Sequence, residues 1–224
     1  MGRDKALLEL AGKPLALHAV TKLRRICAEV HILSSRPELG AFAPLVHDLH
    51  EGCGPVGGLE AGLGHARHEW NLFIPVDMPF LPSAFLRYWV RKVVGDEGGG
   101  ARVAMFTVEG VPQPTCCLLH RDVAPFIREA MERGMYKAGP VLESAGRQLA
   151  HREGVDLGKV FSNVSWDQGA EFLAQRFHEQ TEGDEEQWRV ITAAQRQVRS
   201  LWFANLNTPE EFAEAERHSD ALDT

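Results

Sequence analysis

The stretch "WNLFIPVDMPFLP", residues 70–82, decides how this chain is read. An apolar run from Leu72 to Val76 ends at once in a carboxylate, Asp77, and a proline-flanked turn follows. A short apolar run bounded by turn signals is the pattern of a buried strand. A carboxylate at the tip of such a strand has two readings. It caps or shapes the turn before a helix that starts near Pro82, or it holds something positive over the edge of a sheet. The step from Asp77 to Pro82 is long for a cap, and ligands of open α/β sheets bind beyond the carboxyl ends of the strands. The second reading is therefore the expectation.

Outward from this stretch, strands and helices alternate. Apolar residues at Ala16, Ala19, Val20, Leu23 and Cys27 give helical spacing over 15–27, with Lys and Arg on the other face. Residues 29–35, "EVHILSS", read as a strand, and a second short strand ends at His47. The loop "DLHEGCGPVGG" follows, then a helix over 59–68, the strand 70–76 and a helix over 83–94. The order βαβα predicts a mostly parallel sheet with helices on its faces, a three-layer α/β/α arrangement. Further on, "GDEGGG" at 95–100 is a turn, strands at 102–108 and 115–119 flank "EGVPQP", and a helix runs over 122–133. Residues 150–200 are polar, with an acidic "EGDEEQ" and a helix over 169–180, and read as an insertion. "SLWFANL", 200–206, reads as a last strand. Thr208 is an N-cap, Pro209 fits the first helical position, and Glu211 completes a T-x-x-E capping box. With no internal repeat and no linker, the expectation is a single domain over 1–224.

Composition narrows the function. The 224 residues are 44% apolar, enough for one sizeable core. Asp plus Glu number 31 against 24 Lys plus Arg, a formal charge of −7, which argues against a groove for nucleic acid. The four cysteines form no CxxC pair, which fits a reduced, cytoplasmic setting. No apolar run approaches the ~20 residues of a membrane span, and no signal peptide follows "MGRDK".

Four polar stretches fall at sheet ends or ahead of helices: Lys5, Asp48 with its glycine-rich loop, Asp77, and Asn205 with Asn207. A lysine and two carboxylates on one rim suit a metal–phosphate ligand, because Mg²⁺ takes one or two carboxylates plus phosphate oxygens and water. Lysine offsets further phosphate charge, and glycines let backbone N–H groups approach. Each residue also has an ordinary reading: Lys5 as a surface lysine, Asp48 as an Asx-turn former, Asn207 as a residue before a capped helix. His47, His50 and Cys53 share a spacing of three but lack a clear fourth partner for zinc.

Taken together, "MGRDKALLELAGKPLALH" (1–18), "GPVGGLEAGL" (54–63), "WNLFIPVDMPFLP" (70–82), "PQPTCCLLHRDVAP" (112–125) and "FANLNTPEEF" (203–212) resemble the molybdenum cofactor guanylyltransferases. The five stretches occur in the family's order and leave out only about 135–200. The resemblance implies a nucleotide-diphospho-sugar transferase-like fold. It also implies Mg²⁺-dependent transfer of GMP from GTP to molybdenum-bearing molybdopterin, with release of pyrophosphate. On that pattern Lys5 matches the phosphate-binding lysine, Asp77 the acid that binds Mg²⁺, and Asp48 an acidic position near the nucleotide. Asn205 and Asn207 match the asparagines of "NVNTPEE", which face the reacting end. The implied partners are GTP and molybdopterin, with proteins that deliver molybdopterin or are molybdoenzymes, and neither nucleic acid nor membrane. In the family, a strand and a glycine-rich loop, L-A-G-G-x-S-x-R, precede M-G-x-D-K. The expectation is that the natural reading frame extends upstream through them, and guanine selection is not legible in the residues given. Other readings stay open at this point: a cytidylyltransferase for the same pterin, a sugar-1-phosphate nucleotidyltransferase, or a non-catalytic nucleotide- or pterin-binding protein.

Overall fold

A computed structural model describes residues 4–50, 52–95, 100–166 and 191–223. The elements begin with β1 (Glu9–Leu10), β2 (Lys13–Pro14), α1 (Leu15–Arg24), β3 (Ile32–Leu33), β4 (Leu45–Val46), α2 (Gly54–His65), β5 (Trp70–Phe73) and α3 (Ser83–Val94). They continue with β6 (Val103–Val108), β7 (Val111–His120), α4 (Ala124–Glu132), α5 (Ala138–Glu153), α6 (Leu157–Val160) and β8 (Phe161–Trp166). After the described gap come α7 (Ala193–Gln197) and α8 (Pro209–Glu216). The chain groups into two compact units. Unit 1 comprises Met1–Val30, Pro75–Trp89 and Trp166–Thr224, and unit 2 comprises His31–Ile74 and Val90–Ser165.

Unit 2 is built on a sheet of order β5-β7-β6-β8. Glu109 and Gly110 join β6 to β7 with φ of 49° and 77°. Two left-handed residues give a turn whose twist matches that of the flanking strands, so the chain folds straight back as a hairpin. β7 thereby enters between β5 and β6 and runs antiparallel to both. Being central, it buries Cys116, Cys117, Leu118 and Leu119 almost completely. α4 and α5 cover this sheet, with Ile127, Val141, Leu142 and Leu149 packed around Met105, Cys117 and Leu119. A second, two-stranded sheet pairs β3 with β4 in parallel. α2 lies on both sheets: a Cβ on Gly62 would sit 2.7 Å from the Phe73 ring and 3.3 Å from Leu33. Only glycine admits the helix that close.

Unit 1 buries Leu10, Leu15, Phe80, Leu206, Ala215 and Leu222 in one cluster. A second group stacks Phe85, Trp166, Trp202 and Phe203 with ring centroids 5.1–6.1 Å apart. The fully buried Trp202 satisfies its indole N–H on Gln195 O at 2.8 Å.

The chain is α/β as expected, and several elements differ in extent or kind. The parallel pairing inferred from the βαβα order is present in β3–β4, whereas β5, β6 and β7 form antiparallel ladders. β5 stops at Phe73 rather than Val76. Pro75 has no N–H to continue a ladder. α2 starts at Gly54, so the second half of the expected glycine-rich loop is helical, with Pro55 in the first turn where its missing N–H is harmless. The expected strand 200–206 is not formed. Arg199–Leu201 is a 3-10 turn, and the adjacent Trp202 and Phe203 are both buried, which strand alternation on one face does not allow. α5 and β8 had no counterpart in the sequence reading, and the expected helix over 169–180 lies outside the described residues.

Candidate functional site

Unit 1 gathers three of the expected site residues. Lys5 opens a 3-10 turn, Lys5–Leu7, whose N-cap is Asp4; the Asp4 carboxylate accepts the Ala6 N–H at 3.0 Å. This aims the Lys5 side chain at Asp77, where Nζ donates to Oδ2 at 3.3 Å. The same ammonium donates to Asn207 Oδ1. Asn207 in turn donates through Nδ2 to the backbone carbonyl of Asn205 at 3.1 Å. Asn205 thus joins through its main chain, and the residue itself is exposed.

The backbone around these side chains is tied down. Leu206 N–H donates to Asp77 O at 3.0 Å, linking residues far apart in sequence. The capping box of α8 is formed: Thr208 Oγ1 accepts the Glu211 N–H, and Glu211 Oε2 accepts the N–H groups of Asn207 at 2.5 Å and Thr208 at 2.8 Å. Those backbone donors, Asn207 first and Thr208 next, hold the Glu211 carboxyl below the usual carboxylate range. The first four N–H groups of a helix have no partner within it. Here one carboxylate takes up two neighbouring donors and fixes the conformation that presents Asn207.

Asp77 is 18% exposed in its side chain and Lys5 38%. An ion pair this accessible contributes about 0–1 kcal/mol to folding. Its position at a junction of separately anchored segments has little stabilising value, so stability does not account for it.

Lys22 was placed by helical spacing on the solvent face of α1. It is instead 1% exposed, and its Nζ donates to Met78 O and Pro79 O, each at 3.0 Å. Nothing in the pattern of α1 distinguishes Lys22 from the neighbouring surface lysines and arginines.

Asp48 belongs to unit 2, on the exposed loop between β4 and α2. Its carboxylate rests against the first turns of the helix: a Cβ on Gly58 would lie 3.8 Å from Oδ1. A further buried charge on this unit has no sign in the sequence pattern. Glu60 of α2 is 2% exposed and accepts from Arg128 Nε at 3.2 Å, and His50 Nε2 lies 3.7 Å from its other oxygen. Among the described residues, no group of three or more His, Cys, Asp or Glu is placed to hold a metal ion, and no helix is long and apolar enough to cross a membrane.

With this geometry in view, comparison with known proteins separates fold from family. Molybdopterin-guanine dinucleotide biosynthesis protein A of Archaeoglobus fulgidus superposes with a TM-score of 0.62 over 99% of this chain and 93% of that one, at 20% identity. At that identity the likeness is one of fold: a nucleotidyltransferase-type α/β architecture. Residues 1–152 match the family model of the MobA-like NTP transferase domain. The molybdenum cofactor guanylyltransferase of Serratia proteamaculans is 33% identical over 156 residues, 66% of this chain and 76% of that protein. The enzyme of the same name from Vibrio atlanticus is 32% identical over 137 residues, 59% of this chain and 68% of its own. The chain belongs to the MobA-like NTP transferase domain family.

Proposed function

We propose that the chain transfers GMP from GTP to molybdenum-bearing molybdopterin, forming molybdopterin guanine dinucleotide and releasing pyrophosphate. The observation that carries this is the Lys5 ammonium shared between the Asp77 carboxylate and the Asn207 amide oxygen in a chain of this family.

The groups around Asp77 fit a small hard cation. The available donors are oxygens: the Asp77 carboxylate, the Asn207 amide oxygen and nearby main-chain carbonyls. Mg²⁺ typically takes one or two carboxylates and fills its remaining positions with phosphate oxygens and water, so a lone aspartate suffices. Asp77 is the residue assigned to hold it, and when bound Mg²⁺ draws charge away from the phosphates and the departing pyrophosphate.

The rest falls to the chain's own side chains. A terminal phosphate oxygen of molybdopterin attacks the α-phosphorus of GTP. A new P–O bond forms, and the bond from the α-phosphorus to the bridging oxygen breaks. No protein nucleophile is needed. Both reactants are anionic, so the difficulty is to bring them together, and positioning with charge compensation supplies most of the catalysis in such transfers. Lys5 donates to phosphate oxygens in place of its resting partners. Asn207, held by the cap of α8, offers an amide to the reacting end, and Asn205 flanks it. Asp48, on its own unit, is assigned to the nucleotide.

The test is Asp77→Asn, which keeps the side-chain volume and removes one anionic ligand. Pyrophosphate release at saturating Mg²⁺ is expected to fall about 100-fold or more, roughly 3 kcal/mol of transition-state stabilisation. Turnover within about threefold of the parent sinks the metal assignment, because that is under ~1 kcal/mol. Substituting CTP for GTP in the same assay decides the base.

A further inference from the structure

We infer that Lys22 is a positioning residue for Asp77. Its buried ammonium clamps the turn that aims the carboxylate at Lys5.

The turn after Asp77 is held from outside at three consecutive carbonyls. Asp77 O accepts from Leu206 N–H at 3.0 Å, and Met78 O and Pro79 O both accept from Lys22 Nζ at 3.0 Å. Neither of the latter two is served by α3, which begins only at Ser83. Met78 and Pro79 are buried, where a main-chain carbonyl needs a hydrogen-bond partner. These anchors hold the main chain that follows Asp77 and so restrict the directions its carboxylate can take.

The choice of residue matters here. A lysine does what a short polar side chain on α1 cannot: it spans from the helix to residues 56 and 57 positions further along the chain. It also delivers donors to both carbonyls from a single atom, which fixes the two peptide planes relative to each other. The turn it holds is the one that presents the carboxylate assigned to the metal. Groups that orient a metal ligand from behind typically change metal affinity or activity by about 10- to 100-fold when removed.

This rests on the reading of Asp77 as the metal ligand, and the experiment separates the two. The full chain and its Lys22→Met, Asp77→Asn and doubly substituted variants are titrated with Mn²⁺ in the presence of a non-hydrolysable GTP analogue, by calorimetry. Folding is checked by circular dichroism, and turnover is measured in parallel. Lys22→Met is expected to raise the Mn²⁺ dissociation constant about 10-fold or more and to lower kcat by a similar factor. Binding of the analogue without metal is expected to stay within about twofold of the parent, under ~0.5 kcal/mol. In the Asp77→Asn background, Lys22→Met is expected to add less than about twofold, since a clamp acting through Asp77 has nothing left to aim. Where Lys22→Met does not fold, Lys22→Gln keeps one amide donor and carries the same comparison. A folded Lys22 variant with unchanged Mn²⁺ affinity overturns the inference, as does a loss fully additive with Asp77→Asn. If Asp77→Asn alone leaves Mn²⁺ affinity unchanged, the metal reading itself falls and this inference with it.

Discussion

Replacing Asp223 by Asn is expected to loosen unit 1 more than any surface change of equal size. The Asp223 carboxylate is 8% exposed and uses both oxygens. Oδ2 accepts the Ser83 N–H at 2.7 Å, at the first residue of α3, and Oδ1 accepts Gln195 Nε2 of α7 at 3.0 Å. Arg25 Nη1 stands 3.8 Å from Oδ1. Asparagine has nearly the same shape but one acceptor, so an amide N–H₂ must face either the Ser83 N–H or the Gln195 amide, donor against donor. One hydrogen bond to a charged group is worth about 1.5–3 kcal/mol. The lost negative charge at the start of a helix adds about 0.3–1 kcal/mol. The sum is about 3 kcal/mol. In a chain of this length each kcal/mol moves the melting temperature by roughly 2–4 °C, so a drop of about 6–12 °C is expected by scanning calorimetry. Asp220→Asn is the control, since Asp220 is exposed and surface substitutions of this kind usually change stability by less than about 0.5 kcal/mol. A shift under about 2 °C for Asp223→Asn means that the clamp contributes little in solution, because the worked magnitude is then wrong by severalfold.

Thr208→Ala removes the N-cap acceptor of α8 and is expected to cost about 1 kcal/mol in a urea melt while reducing turnover more than GTP affinity, since it frees Asn207. The partner half of this cap titrates: the folded Glu211 carboxyl lies below its ordinary value of 4.5, so its stabilisation is present above about pH 4.5 and is lost as pH falls through the folded value. A pH series of melts comparing the parent with Glu211→Gln is expected to show the gap closing on the acid side. His18 behaves differently. Burial pushes its imidazole below the ordinary value of 6.5, against the pull of its hydrogen bond to Leu10 O. Below pH 6.5 the unfolded chain takes up a proton that the folded one refuses, so stability falls with pH from there; His18→Gln is expected to flatten that slope.

What the sequence made legible was local chemistry. The T-x-x-E box after Asn207 is a contact between residues three apart, and it forms as the pattern states. The amphipathic helix over 83–94 is likewise local and matches α3 to the residue. Errors cluster where distant parts of the chain decide. The run 70–76 looks uniformly strand-like, yet its ladder ends where Pro75 offers no donor. Residues 54–58 look like a loop because glycine is a poor helix former, but α2 starts there and lies close over β3 and β5, with Gly62 at the nearest approach. Residues 200–206 carry strand formers, and the burial of both Trp202 and Phe203 overrides that propensity. Lys5, Asp77 and Asn207 meet across 72 and 202 positions of sequence, a proximity that no spacing rule contains. Lys22 was missed for the same reason, since a lysine on the polar side of a helix gives no sign that a turn 56 residues away will need its ammonium.

The resting contacts of Lys5 bear on how such a site can be both assembled and available. If attraction between Lys5 and Asp77 held the cluster together, the arrival of phosphates would have to break the very bond that builds the site. The anchors lie elsewhere. Asp77 is held through its carbonyl by Leu206 and through the next two carbonyls by Lys22. Asn207 is held through its N–H by Glu211, and Lys5 by the Asp4-capped turn. The Lys5–Asp77 pair itself, with both groups reached by solvent, contributes about 0–1 kcal/mol. Moving the ammonium from Asp77 to a phosphate therefore costs little, while the carboxylate it leaves behind keeps its place. In the proposed reaction this is what pre-organisation requires: rigid main chain behind the reacting groups and an easily exchanged partner in front of them.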